Sequence, residues 1–356
     1  MRVFQFINDI NVRNGGAQRV VRILHRHLRK EGIDSSIVSL QPNVEEEVAE
    51  FHSLDLKSVY SLSAIQRIRK FIKQNCGKQD VIHAHLFPTN LWVSLACRLS
   101  GFKGQLVCTE HSTSNRRRGT WKGRLIDRMT YGLYKKIICI SQGTQDSLCR
   151  WMPALSGKTN VIENGTDLIF DAMPQRTASD GRVVLSAGRL SEPKNYENAL
   201  EAIALLKDLR FEYRIAGVGP LEQDLKQQAS ELGISDKVRF LGFVSDLKKL
   251  YLEADLFLIP SRWEGFGLSA VEAMNSGLPV IASDVEGLND VVDTTCGLLV
   301  DPNDPQSIAD AIRQLVEDAE TGKSLGKKGY DRSFQFSGEH MARRYADVYQ
   351  NERLGS

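Results

Sequence analysis

Apolar residues come in short, β-branched runs, separated by longer stretches in which they recur every three or four positions. VFQFI at the start leads into the helical pattern AQRVVRILHRHLRK, which Gly32 ends; SSIVSL, a helix near IQRIRKFIKQ and then DVIHAHL follow. The alternation continues through LVCTEH, KIICIS, NVIENG, RVVLSAGR, EYRIAGVG, VRFLGFV, LFLIPS and PVIAS. Apolar strands at a roughly 20- to 35-residue rhythm, each passing through a loop into a helix, predict an α/β protein built on parallel sheets. At 356 residues the chain exceeds a usual single core, so two domains are expected. The polar stretch Asp167 to Arg182 keeps neither period and reads as the linker between them. Met341, Tyr345, Val348 and Tyr349 share one face of a final helix, which predicts that this segment docks.

Composition changes this picture little: 42% apolar and 25% charged residues suit soluble globular domains. The apolar start is too short for a secretory signal, and no uncharged run of about 18 apolar residues occurs, so a cytoplasmic chain is expected. The six cysteines, at 76, 97, 108, 139, 149 and 296, form no C-x-x-C pair and read mostly as buried reduced thiols. Charge is more informative. Residues 1–165 carry 25 Lys and Arg against 13 Asp and Glu, net +12, and the remainder 21 against 31, net −10. A basic half predicts an anionic partner such as a membrane surface, a phosphorylated acceptor or nucleic acid. The alternative is a solvated basic face held against an acidic domain.

In open parallel sheets ligands bind beyond the carboxyl ends of the strands. The unusual small and polar clusters lie there: Asn14-Gly15-Gly16, His83 to His85, Glu110-His111-Ser112, Asn164-Gly165, Gly188-Arg189, Gly217 to Pro220 and Ser261 to Gly267. In RVVLSAGRLSEPKN, Gly188 lets backbone come close, while Arg189 and Lys194 can place two cations in one loop mouth, which suits a diphosphate. In LFLIPSRWEGFGLSAVEAMNSGLPVIAS, Glu264 falls on a loop and Glu272 a turn into a helix starting near Leu268. N–H groups around Gly267 and Leu268 suit a phosphate, and the carboxylates suit ribose and sugar hydroxyls. The ordinary alternative is a dipole-stabilising Glu264 and a solvated Glu272.

Gly15 and Gly16 open a helix whose first turn can meet an anion or an acceptor group. Gly217-Val218-Gly219 lacks the third glycine of a dinucleotide fingerprint. There is no phosphate-loop motif, no G-x-S-x-G and no D-x-D pair, so no divalent metal is expected, and the cations must come from side chains. His83-x-His85 has no supporting metal ligand. His111, at the end of a strand, is the better candidate for touching substrate. From Arg116 to Lys136, cations accompany Trp121, Leu125, Met129 and Leu133 at helical intervals. That segment suits either an anionic membrane surface or a basic helix with its apolar face toward the core.

Together, GGAQRVV, EHS, ICIS, VIENGTD, SAGRLSEPKN, IAGVGPLE, VRFLGFVSD and PSRWEGFGLSAVEAMNSGLPVIAS resemble the retaining, family 4 glycosyltransferases of GT-B fold, over about Val3 to Leu315. The resemblance implies two Rossmann-like domains with parallel sheets facing across a cleft. An acceptor-binding domain over 1–170 would be completed by a C-terminal helix at 335–356, and a nucleotide-sugar-binding domain would span 178–334. Arg189 and Lys194 would hold the donor diphosphate, with Gly188 and Gly217 at the same strand ends. Glu264 would contact the transferred sugar, and Gly265, Phe266, Gly267 and Leu268 would offer backbone donors. Glu272 would bind ribose, Phe243 and Val244 the base, and Gly15 and Gly16 the diphosphate and acceptor, with His111 beside the reacting sugar. Glu192-Pro193 stand before Lys194 in the reverse of the order relatives often show. The implied partners are a nucleotide sugar, with UDP the commonest base in the family, and a glycan or polyprenyl-diphosphate-linked acceptor; no cofactor and no nucleic acid are implied. The basic half adds a peripheral contact with an anionic membrane. Two rivals share some features: a nucleotide-sugar epimerase, which would isomerise a donor without acceptor, and a non-enzymatic nucleic-acid module, for which no groove-reading motif or aromatic platform is present.

Overall fold

The computed structural model describes residues 1–12, 15–42, 48–113, 117–175 and 182–351. Asn14, Arg116 and positions 176–181 of the expected linker lie outside the described residues. The chain divides into two compact units, one comprising Met1–Asp167 with Ser337–Ser356 and the other Leu168–Phe336.

The first unit is built on β1 (Arg2–Ile7), β2 (Asp34–Ser39), β3 (Phe51–Ser53), β4 (Val81–His85), β5 (Gln105–Glu110), β6 (Lys136–Cys139) and β7 (Thr159–Val161). These form one sheet in the order β3-β2-β1-β4-β5-β6-β7, and every pairing is parallel. Helices α1 (Gly16–Lys30), α2 (Ser63–Asn75), α3 (Thr89–Ser100), α4 (Trp121–Tyr131) and α5 (Gln142–Trp151) alternate with the strands. Central strands are covered on both faces, so β4 is buried at all five positions, and its VIHAH run carries two histidines into the interior.

The second unit repeats the plan with β8 (Arg182–Ala187), β9 (Phe211–Ala216), β10 (Val238–Gly242), β11 (Leu256–Ile259), β12 (Val280–Ser283) and β13 (Gly297–Val300), in the order β10-β9-β8-β11-β12-β13. Its helices are α6 (Tyr196–Ala204), α7 (Glu222–Glu231), α8 (Lys248–Glu253), α9 (Leu268–Asn275), α10 (Pro305–Glu317) and α11 (Ala319–Ser333). Interior β8 is buried along almost its whole length, whereas β9 begins with an alternation of buried and half-buried positions. Each sheet reverses its strand order once, between β1 and β4 and between β8 and β11. At such a switch the neighbouring loops diverge and leave a crevice beyond the strand ends.

The last helix, α12 (Gly338–Asn351), packs in the first unit, where Met341, Tyr345 and Tyr349 are buried and Val348 is half-buried. Arg344 pairs with Glu163, and Gln105 donates to the Val348 carbonyl at 3.1 Å. All six cysteines are unpaired; four are buried, and Cys76 and Cys149 are half-buried. Among the described residues no helix is long and apolar enough to cross a membrane.

Candidate active site

The second unit's switch lies between β8 and β11, and the loops leaving those strands carry Gly188, Arg189 and Lys194 on one side and Ser261 to Gly267 on the other. Lys194 closes a single turn of tight helix, Glu192–Lys194, so the reversed Glu-Pro order is accommodated in one 3₁₀ turn. Its ammonium pairs with the Glu264 carboxylate, both side chains being about four-fifths buried. The other Glu264 oxygen accepts from the Gly265 N–H at 3.1 Å. Arg189 is exposed and makes no ion pair among the described residues.

Several bonds tie the two loops into one frame. The Arg262 N–H donates to the Pro193 carbonyl at 2.9 Å, and the buried Asn195 amide donates to Pro260 at 2.9 Å and to Pro302 at 2.7 Å. The loop after β9 joins them: the Leu190 N–H donates to the Val218 carbonyl at 3.1 Å, and a methyl on Gly217 would stand 1.9 Å from the Gly188 carbonyl oxygen. Gly217 lies at φ +154°, which together with that approach restricts the position to glycine.

Helix α9 starts beside Glu264. Its N-cap, Gly267, has φ 93° and no side-chain cap, so neither Ser, Thr, Asp nor Asn occupies its first-turn donors. Phe266 turns inward and is 2% exposed, packed edge-on against Phe336, so only its backbone belongs to the loop surface. Leu268 is half-buried. Glu272 is 2% exposed and accepts from the Tyr251 hydroxyl at 3.0 Å, which excludes the solvated helix carboxylate allowed by the sequence. Phe243 is exposed and Val244 half-buried, one and two residues beyond β10.

In the first unit, Gly15 is the N-cap of α1 and Gly16 its first residue. His111 follows β5 and lines a cavity of about 120 Å³ with Leu86, Phe87, Asn90, Thr109, Glu110, Ser112 and Arg117. Burial draws its imidazole down to about 4, so it is neutral at physiological pH. The wall is cross-braced. Glu110 accepts a hydrogen bond from the Tyr131 hydroxyl and has Arg118 at 3.8 Å, while Arg117 lies 3.6 Å over the Phe87 ring and 3.2 Å from the buried Asp127. Both ring nitrogens of His83 are engaged, by Tyr349 at 2.7 Å and Thr109 at 2.8 Å, so it is a satisfied interior histidine.

A sequence profile described as glycosyl transferases group 1 matches residues 170–332, and one described as Glycosyltransferase Family 4 matches residues 14–170. An uncharacterized glycosyltransferase of Methanocaldococcus jannaschii is 32% identical over 266 residues, 68% of this chain and 67% of that one. The chain belongs to glycosyltransferase family 4. A lipopolysaccharide core biosynthesis glycosyltransferase of Rhizobium meliloti is 29% identical over 60% of this chain and 63% of its own length. The fold matches that of Anabaena HepE, solved in complex with UDP and glucose, with a TM-score of 0.84 at 20% identity over 99% of this chain and all of that one.

Within this glycosyltransferase, Arg189, Lys194, Glu264 and the α9 N-terminus share the second unit's switch, and Gly188 and Gly217 shape its floor. Glu272 lies behind them in α9, and His111 and Gly15-Gly16 belong to the other unit. Two residues outside the sequence candidates complete the site: Asn195, which holds the loop frame from a left-handed conformation at φ 55°, and Tyr251, the hydroxyl on Glu272. Asn195 directly follows Lys194 and carried no periodic signal; Tyr251 looked like any helical aromatic.

Proposed function

We propose that the enzyme is a retaining, metal-independent glycosyltransferase that moves a sugar from a nucleotide diphosphate, with UDP as the carrier, to a glycan or polyprenyl-diphosphate-linked acceptor. The observation that carries this reading is the Lys194–Glu264 ion pair beside the uncapped α9 N-terminus at a strand-order switch. A diphosphate entering there draws Lys194 toward itself, joined by Arg189 and by amides of Gly265 to Leu268. Glu264 is thereby released to accept sugar hydroxyls. Glu272 takes the ribose, Phe243 and Val244 the base, and His111 lies beside the reacting sugar. As the bond to the anomeric carbon breaks, negative charge grows on the departing phosphate and meets these fixed donors, an electrostatic contribution that needs no protein nucleophile. The same phosphate receives the proton of the incoming hydroxyl on the face it leaves, so configuration is retained. The UDP bound by Anabaena HepE and the lipopolysaccharide core role named for the Rhizobium meliloti relative support the donor and acceptor classes.

Each of Arg189→Ala and Lys194→Ala should lower kcat by about 10²- to 10³-fold, the usual effect of losing one transition-state donor. The check is turnover of screened nucleotide sugars, with anomeric analysis of the product; wild-type turnover in a folded double variant would refute the assignment.

The basic half further supports peripheral attachment to an anionic membrane. On α4, Trp121 is 74% exposed, Leu125 54% and Met129 49%, so the apolar stripe faces outward and the expectation of a core-facing stripe is set aside. Lys122, Arg124 and Arg128 surround it, a combination suited to anionic headgroups.

A further inference from the structure

Three imidazoles lie in a row inside the first unit, and only His111 has a place in the proposed reaction. The row begins at α12, where the Tyr349 hydroxyl holds His83 Nδ1 at 2.7 Å. Thr109 holds the other His83 nitrogen at 2.8 Å and is itself 3.1 Å from the Tyr345 hydroxyl. The His85 ring packs against that fixed ring with centroids 4.0 Å apart. His85 Nδ1 then lies 3.1 Å from His111 Nε2, in the wall of the 120 Å³ cavity.

His85 is fully buried, and its Nε2 has no hydrogen-bond partner; His111 Nδ1 is likewise buried and unpartnered. Two neutral imidazoles carry two N–H protons between them, and one of these occupies the bond between the rings. The outer nitrogens must therefore differ, one a donor and the other an acceptor. Which is which is decided at the His85–His111 bond. If His111 donated, His85 would keep a buried N–H with no acceptor; if His85 donates, its far nitrogen is a bare lone pair and His111 carries its proton on Nδ1. Either direction leaves one buried N–H without an acceptor in the protein, but of the two rings only His111 lines the cavity, so only an N–H on its Nδ1 can be taken up by an entering substrate oxygen.

We propose that His85 is a positioning residue for sugar transfer: it donates to His111 Nε2 and so fixes the ring orientation and the Nδ1–H tautomer with which His111 meets a substrate hydroxyl. The inference rests on the functional reading above. His83 and the α12 tyrosines support it from behind, which gives the C-terminal helix a share in site geometry.

The test compares wild type with His85→Phe, which keeps a ring but has no nitrogen, and His85→Gln, whose amide can still donate. Imidazole nitrogen shifts of ¹⁵N-labelled protein are expected to show His111 as one neutral tautomer in wild type and in His85→Gln, and as a mixture in His85→Phe. In parallel, kcat should fall about 10²-fold in His85→Phe with donor KM little changed, as for a misaligned reacting group, and His85→Gln should recover most of that loss. Wild-type kcat or an unchanged single tautomer in folded His85→Phe overturns the proposal, as does a Gln protein that shows mixed tautomers. Should wild type transfer sugar from no nucleotide donor, the functional reading fails, and the nitrogen spectra alone judge whether His85 holds His111.

Discussion

A single methyl group tests how closely the donor loops are built. Gly217 combines φ +154° with a backbone approach that would place a Cβ 1.9 Å from the Gly188 oxygen. Gly217→Ala must displace the Gly188-Arg189 segment or its own strand end. It should cost ~2 kcal/mol or more in denaturant unfolding and should lower turnover with it, because Arg189 moves with that loop. Full stability in the Ala variant would mean that the loops yield freely. At this scale the sequence indicated residue types well and surroundings poorly. Glu272 could equally have been solvated or buried from its position in the helical pattern, and its burial under Tyr251 depends on which face α9 turns inward.

Elements were legible where they were long enough to show a period. The strand runs around β8, β9 and β11 and the amphipathic α1 stood out, whereas β3, with three residues, and β13, with four, are too short to display one. The spacing of Trp121, Leu125 and Met129 was equally plain, but spacing alone does not say whether a stripe meets core or solvent. The core side of α4 is taken by Gly123, Asp127, Thr130 and Tyr131, and Asp127 is held there by Arg117 and by Trp151 at 3.0 Å. The exposed stripe yields a vesicle prediction. The enzyme should cosediment with anionic vesicles at low salt, and attachment should weaken as salt rises and disappear in a Trp121→Ser, Leu125→Ser, Met129→Ser triple variant. Equal attachment to neutral vesicles, or none at low salt, would remove the membrane contact.

The whole molecule carries an asymmetry in its histidines. All seven lie outside residues 168–336, so the second unit has none. Burial draws His25 down to about 4 from 6.5, with the same direction for His83, His85 and His111. Between these values the unfolded chain binds protons that the folded one refuses, so this stability is full above pH 6.5 and is lost as pH falls toward 4. His25 alone accounts for about 3 kcal/mol. At Asp80 burial acts upward but is outweighed by hydrogen bonds from the Gly77 and Arg2 N–H groups and the Arg2 side chain, so its contribution is lost only as pH falls below about 3.8. Acidification from pH 7 to 4.5 should therefore lower the melting temperature of the first unit well before that of the second. Calorimetry with unit-specific fluorescence checks this; parallel decline of both units would contradict it.

By itself the sequence determined the α/β class, the strand-loop-helix rhythm and the small, cationic and acidic residues at strand ends, because each is written in local spacing and side-chain chemistry. Tertiary structure decided what local spacing cannot encode. It set which strands meet at a reversal of order, paired Lys194 with Glu264 across seventy residues, turned the α4 stripe outward, and brought Tyr349 against His83. Those contacts join positions far apart in the chain, and only the packing of whole elements selects them.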